Sequence, residues 1–123
     1  MGQSATLNVP NSILFLWDIQ NKKAEIPQYE DNQLISSNPN CISIGTLMEL
    51  DGPTAVSFLE VASGLAPIRA FSGLLNAPSG EISISSSEAD SLLCLRVAGV
   101  KANIEIFVND PSEPSLIEIV VQS

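Results

Sequence analysis

A pair of glutamates and one acidic loop are where chemistry could reside in this chain. It holds fourteen Asp and Glu, five Lys and Arg, and no His. Without an imidazole, no Ser or Cys nucleophile has a histidine base to activate it. A Ser–Lys arrangement needs a buried ammonium, and Lys22, Lys23 and Lys101 stand in polar or turn contexts. Glu105 and Glu118 could work as acid and base on a sugar. That chemistry wants aromatic platforms, and the chain has one Trp, one Tyr and four Phe. No Gly-x-Gly-x-x-Gly and no phosphate loop is present. The expectation is a protein that is not an enzyme and carries no cofactor.

Asn109, Asp110, Ser112 and Glu113 gather hard oxygens in one loop, with Asp51, Glu88 and Asp90 elsewhere. Calcium takes ligands of this kind. No loop has a spaced Asp-x-Asp-x-Asp pattern, so a solvated acidic turn is the favoured reading and calcium the alternative. Cys41 and Cys94 are far apart and form no Cys-x-x-Cys motif, which favours two thiols over a disulfide.

Net charge is −9 and the pI is near 4.1. A field of that sign repels phosphates and anionic lipid and attracts basic proteins. The longest apolar run, Ile13 to Trp17, is too short to cross a bilayer. A cytoplasmic protein with a basic protein partner, and with neither nucleic acid nor membrane as a target, is expected. Tyr29, Glu30 and Asp31 form the local cluster best suited to meet Arg and Lys on that partner.

The elements that must position these residues are strands. Alternation of period two runs through 42–50, 55–61, 80–85, 92–97, 102–108 and 116–121, and 12–19 is apolar on both parities. Residues 57–65 also admit a short helix, and Ser87 could cap one helical turn. Eight Pro and seven Gly punctuate the chain. The pattern predicts one all-β domain over 1–123, an antiparallel β-sandwich of about seven to nine short strands. The polar stretch Gln20 to Asn40 reads as a crossover from one sheet to the other.

The last three strands can be paired residue by residue. Gly99-Val100 suits a two-residue type II′ turn, which would set Leu95 against Ile104. Mirroring about Pro111-Ser112 sets Ile104 against Ile119, and the aliphatic residues then share one buried face. The opposite, mixed face carries Arg96, Glu105, Phe107 and Glu118, and the last three are further candidates to bind the partner. In that register the two glutamates oppose each other, which is destabilising, and Arg96, a diagonal neighbour of Glu105, would relieve part of it. A register shifted by two, or strands that are not neighbours, would relieve the repulsion. The mixed face, with Phe107, is also a surface through which two copies could pair.

The early strand "SILFLWDIQ", the Pro-containing polar crossover, "GEISISS" and the closing "LIEIVV" resemble the competence-protein-J family of small β-sandwich nuclease inhibitors. That resemblance implies an inhibitory β-sandwich and carries over no functional residue. The leading expectation is an acidic inhibitor, or immunity-like antidote, that masks a basic partner such as a nuclease. The alternatives are a calcium- or ligand-binding module and an oligomeric structural protein.

Overall fold

The computed structural model describes residues 3–28, 33–88 and 91–122. Ten strands occur among them: Gln3–Leu7 (β1), Ile13–Trp17 (β2), Ile35–Asn38 (β3), Cys41–Gly45 (β4), Thr54–Leu59 (β5), Ile68–Asn76 (β6), Glu81–Ser86 (β7), Leu93–Arg96 (β8), Lys101–Val108 (β9) and Leu116–Gln122 (β10). They form two five-stranded sheets, ordered β1-β5-β10-β9-β6 and β3-β4-β2-β7-β8. The β-sandwich read from periodicity is therefore present, with more strands than expected. All pairings are antiparallel except one: β10 runs parallel to β5.

One core lies between the sheets. Leu14, Leu16, Ile42, Ile44, Ile82 and Ile84 enter it from one sheet. Val56, Phe58, Ile104, Ile106, Ile117 and Ile119 enter it from the other. Every second residue of β5 and β9 is buried, so the predicted parity holds there. Each buried aliphatic side chain contributes roughly 1.5–3 kcal/mol. β2 and β4 are buried on both faces through their centres. Cys41 is buried and Cys94 exposed, both as free thiols, and burial pushes the Cys41 thiol up to about 12.

The connections differ from the sequence-based expectations. The strand expected over 42–50 stops at Gly45. Past it the chain turns through Glu49–Asp51, leaving Met48 51% and Leu50 93% exposed. The stretch 20–40 does not change sheets, since β2 and β3 share one sheet with β4 between them. Its described residues are held by side-chain bonds. Asp18, 1% exposed, accepts the Gln20 and Ser79 N–H groups at 3.0 and 2.7 Å. Asn40 Oδ1 accepts from the Asn21 and Asn76 amides at 3.3 and 2.9 Å.

The expected 93–97 to 102–108 hairpin is absent. β8 pairs with β7 in one sheet, and β9 lies between β10 and β6 in the other. Gly99 is not among the residues at positive φ, so the backbone that a type II′ turn requires is not formed. Residues 97–100 instead step between sheets, tied by Val97 N–H to Gly80 O and by Ala77 N–H to Val100 O. Residues 57–59 belong to β5, so the helical alternative there fails.

Candidate functional site

The β9–β10 hairpin exists, in the register shifted by two. Ile119 faces Ile106, Glu118 faces Phe107, and Val120 faces Glu105. Glu105 and Glu118 share the outer face without opposing each other. Glu105 meets Arg69 of β6 at 3.3 Å, not the expected Arg96, which sits in the other sheet. Glu118 is only 3% exposed. Its carboxylate accepts the Ser63 N–H at 3.1 Å and also the Ser63 hydroxyl. Residues 60–67 join β5 to β6 across two intervening strands. The Ser63 bonds place this crossover over the outer face, and Ala66 within it is buried.

These placements change the standing of the predicted residues. Glu118 is committed to holding the crossover and is not presented to a partner. Phe107 is half-buried between Glu118 and Arg69 on its flanking strands. The crossover occupies part of the mixed face expected to pair two copies. Tyr29, Glu30, Asp31 and Asp90 lie outside the described residues.

Strand directions bring five of the other described acids to one end and leave Asp18, Glu25, Glu60 and Glu81 toward the other. β5, β6 and β10 start at the first, acidic end, β7 and β9 finish there, and the loops 8–12, 46–53, 87–88 and 109–115 close it. Those loops carry Glu49, Asp51, Glu88, Asp110 and Glu113, and no Lys or Arg among the described residues. Lys22, Lys23, Arg96 and Lys101 lie toward the opposite end, while Arg69, near the start of β6, lies toward the acidic end and pairs with Glu105. The molecule is thus electrically polarised along its strands.

The 109–115 loop is locked by its own side chains. Asp110 Oδ1 accepts the Ser112 and Glu113 N–H groups, each at 2.9 Å, and the Ser112 hydroxyl at 3.1 Å. Asn109 Oδ1 accepts the Ser115 and Leu116 N–H groups at 3.0 and 3.1 Å. Leu47 N–H reaches Pro114 O at 2.9 Å, which fastens the 46–53 loop alongside. The Asn109 and Asp110 oxygens read as calcium ligands therefore serve as turn acceptors. Among the described residues, no group of three or more His, Cys, Asp or Glu could hold a metal ion.

The Glu113 N–H, followed by the Ser112 N–H and hydroxyl, holds the Asp110 carboxyl below its ordinary range. A carboxylate with a depressed native pKa supports its loop above the unfolded-state pKa and loses that support as pH falls through the native one. The Ser112 and Glu113 amide resonances are therefore expected to titrate at a pH below the ordinary aspartate midpoint. A midpoint at the ordinary value would show that these bonds do not hold the carboxylate.

Beside this loop lies a cleft of about 450 Å³. Its walls include Ile13, Leu34, Ser36, Thr46, Met48 and Glu113. Sequence reasoning missed it because Met48 and Leu50 continue the alternation of β4. The signal was Asp51-Gly52-Pro53: a chain turning there, with Gly52 at φ 136°, leaves no length for a strand reaching Leu50.

No family model matches the sequence, and no curated protein matches it. Among solved structures, the crystal structure of ComJ, inhibitor of the DNA degrading activity of NucA, from Bacillus subtilis, is similar with a TM-score of 0.58. The match covers 97% of this chain and 92% of that one, at 8% sequence identity. The likeness is therefore one of fold.

Proposed function

We propose, taking the shared fold with a nuclease inhibitor as premise, that this chain is a non-catalytic binding protein. It acts as an inhibitor or immunity-like antidote, covering the basic surface of a protein partner such as a nuclease. The observation that carries this reading is the segregation of charge: five described carboxylates in the loops that close one end of the sandwich, which hold no described Lys or Arg, with four of the five Lys and Arg toward the other end. An acidic end of that kind orients the approach to a basic surface and raises the association rate. The exposed Met48 and Leu50, set among Glu49 and Asp51, supply apolar area for a contact that is otherwise polar. The locked 109–115 loop lowers the ordering cost of binding. Tyr29, Glu30 and Asp31 are assigned to the same contact on residue type and charge.

The test is inhibition of DNA degradation. The purified protein is added to the DNA-degrading activity of its source cell, with plasmid as substrate. Inhibition is expected at low salt and weakens as the screening length falls from about 10 Å at 0.1 M toward about 3 Å at 1 M. The double reversal Glu49→Lys with Asp51→Lys is expected to raise the half-inhibitory concentration by about tenfold or more, roughly 1.4 kcal/mol. No inhibition at any salt, or inhibition indifferent to both salt and the double reversal, sinks the reading.

A further inference from the structure

The cleft at the acidic end has a composition that selects its occupant. Ser36 is only 8% exposed and lines the cleft, yet its hydroxyl has no hydrogen-bond partner among the described residues. The Ser43 hydroxyl bonds the Ser36 carbonyl instead, at 3.3 Å. Among the described residues the one buried side-chain oxygen without a partner is Thr54 Oγ1, so the Ser36 hydroxyl is open to the cleft and can accept a bond from a ligand there. Glu113 is the one ionisable side chain among the described residues of the lining. Its backbone is fixed by Asp110. Asn11, also in the lining, gives its amide nitrogen to Ser87 Oγ at 2.7 Å, leaving its oxygen as an acceptor. Ile13, Leu34 and Met48 add apolar wall.

We propose that this cleft receives the side chain of an arginine from the protein partner, with its guanidinium at Glu113 and Ser36. This deepens the reading above and rests on it for the partner's basic character. The match is chemical. A guanidinium offers five donors and no acceptor, and the cleft offers a carboxylate, a free hydroxyl and an amide oxygen. Arginine's three-carbon stem suits the apolar walls, and its planar fork can bridge a carboxylate and a second acceptor. An anion would meet Glu113 with no compensating cation among the described lining residues.

The experiment titrates isotope-labelled protein at low salt with Nα-acetyl-arginine amide, and in parallel with the neutral isostere Nα-acetyl-citrulline amide. Saturable amide shifts confined to Ser36, Ser43, Thr46, Ser112 and Glu113 are expected with arginine and not with citrulline. Glu113→Gln, an exposed position that leaves the fold intact, weakens arginine binding by about tenfold or more. Glu60→Gln at the opposite end serves as control and leaves binding unchanged. Indistinguishable responses to arginine and citrulline, shifts spread evenly over the acidic end, or a response to calcium chloride but not to arginine would each overturn the proposal. If the partner is inhibited in a salt-dependent way but Glu113→Gln inhibits equally well, the arginine cleft falls and the inhibitor reading stands. If no DNA-degrading activity is inhibited, the inhibitor reading falls whatever arginine does.

Discussion

Truncating Phe58 to alanine is expected to lower the unfolding free energy by about 3–5 kcal/mol. Phe58 is 1% exposed and is the one aromatic among the largest fully buried side chains. It projects from β5, which is paired on one side to β1 and on the other to β10. Its surroundings are mostly Ile, Leu and Val on paired strands, and such a lattice cannot easily collapse into the void. Small domains have only about 5–15 kcal/mol in total, so the variant should melt roughly 10–20 °C lower. Urea denaturation measures the loss, with Leu50→Ala, 93% exposed, as a neutral reference. A loss under about 1 kcal/mol would mean that the core repacks around this position.

The second large effect belongs to Glu118. Glu118→Ala removes the acceptor for both the backbone N–H and the hydroxyl of Ser63. Hydrogen bonds to a charged group are worth about 1.5–3 kcal/mol each, so a loss near 3 kcal/mol is expected. The change should also be local. Val61 and Leu65, at 77% and 73% exposure, give the crossover little apolar anchorage beyond Ala66. Hydrogen exchange and proteolytic cleavage over 60–67 should rise far more than in β9 or β10. Glu118→Gln keeps one acceptor and should fall between the two. If the alanine variant melts like the parent with unchanged exchange over 60–67, the carboxylate does not hold the crossover.

Much of the fold was legible because burial writes itself as parity. Ile104, Ile106, Ile117 and Ile119 could face only one way, and they do. What parity cannot report is which strand lies beside which. Leu93 and Leu95 have the same inward alternation whether β8 pairs with β9 or with β7, and only the step at 97–100 decides. β6, the longest strand, escaped notice because a bulge between Arg69 and Phe71 shifts its alternation and Gly73 interrupts it. At the Gly73 position the Phe71 ring covers the space a side chain would fill.

The candidate site was legible in type and not in place. The acids at 49, 51, 88, 110 and 113 are distant in sequence and become neighbours only through strand direction. Glu118 shows the opposite failure. A glutamate between isoleucines on an outer face reads as solvent-facing, and nothing in the residues around it announces that a loop 55 residues away will cover it.

The placement of β10 has a consequence for how the chain is made. It inserts between β5 and β9 as the middle strand of its sheet, yet it is the last of the ten to leave the ribosome. Until residues 116–122 emerge, β5 and β9 each carry an open edge of unpaired backbone groups, and Val56, Phe58, Ile104 and Ile106 lack their cover. Such half-built sheets are prone to pair with other nascent chains. Closing this sheet therefore waits on the last of its five strands to be made, and no contact formed earlier can complete it.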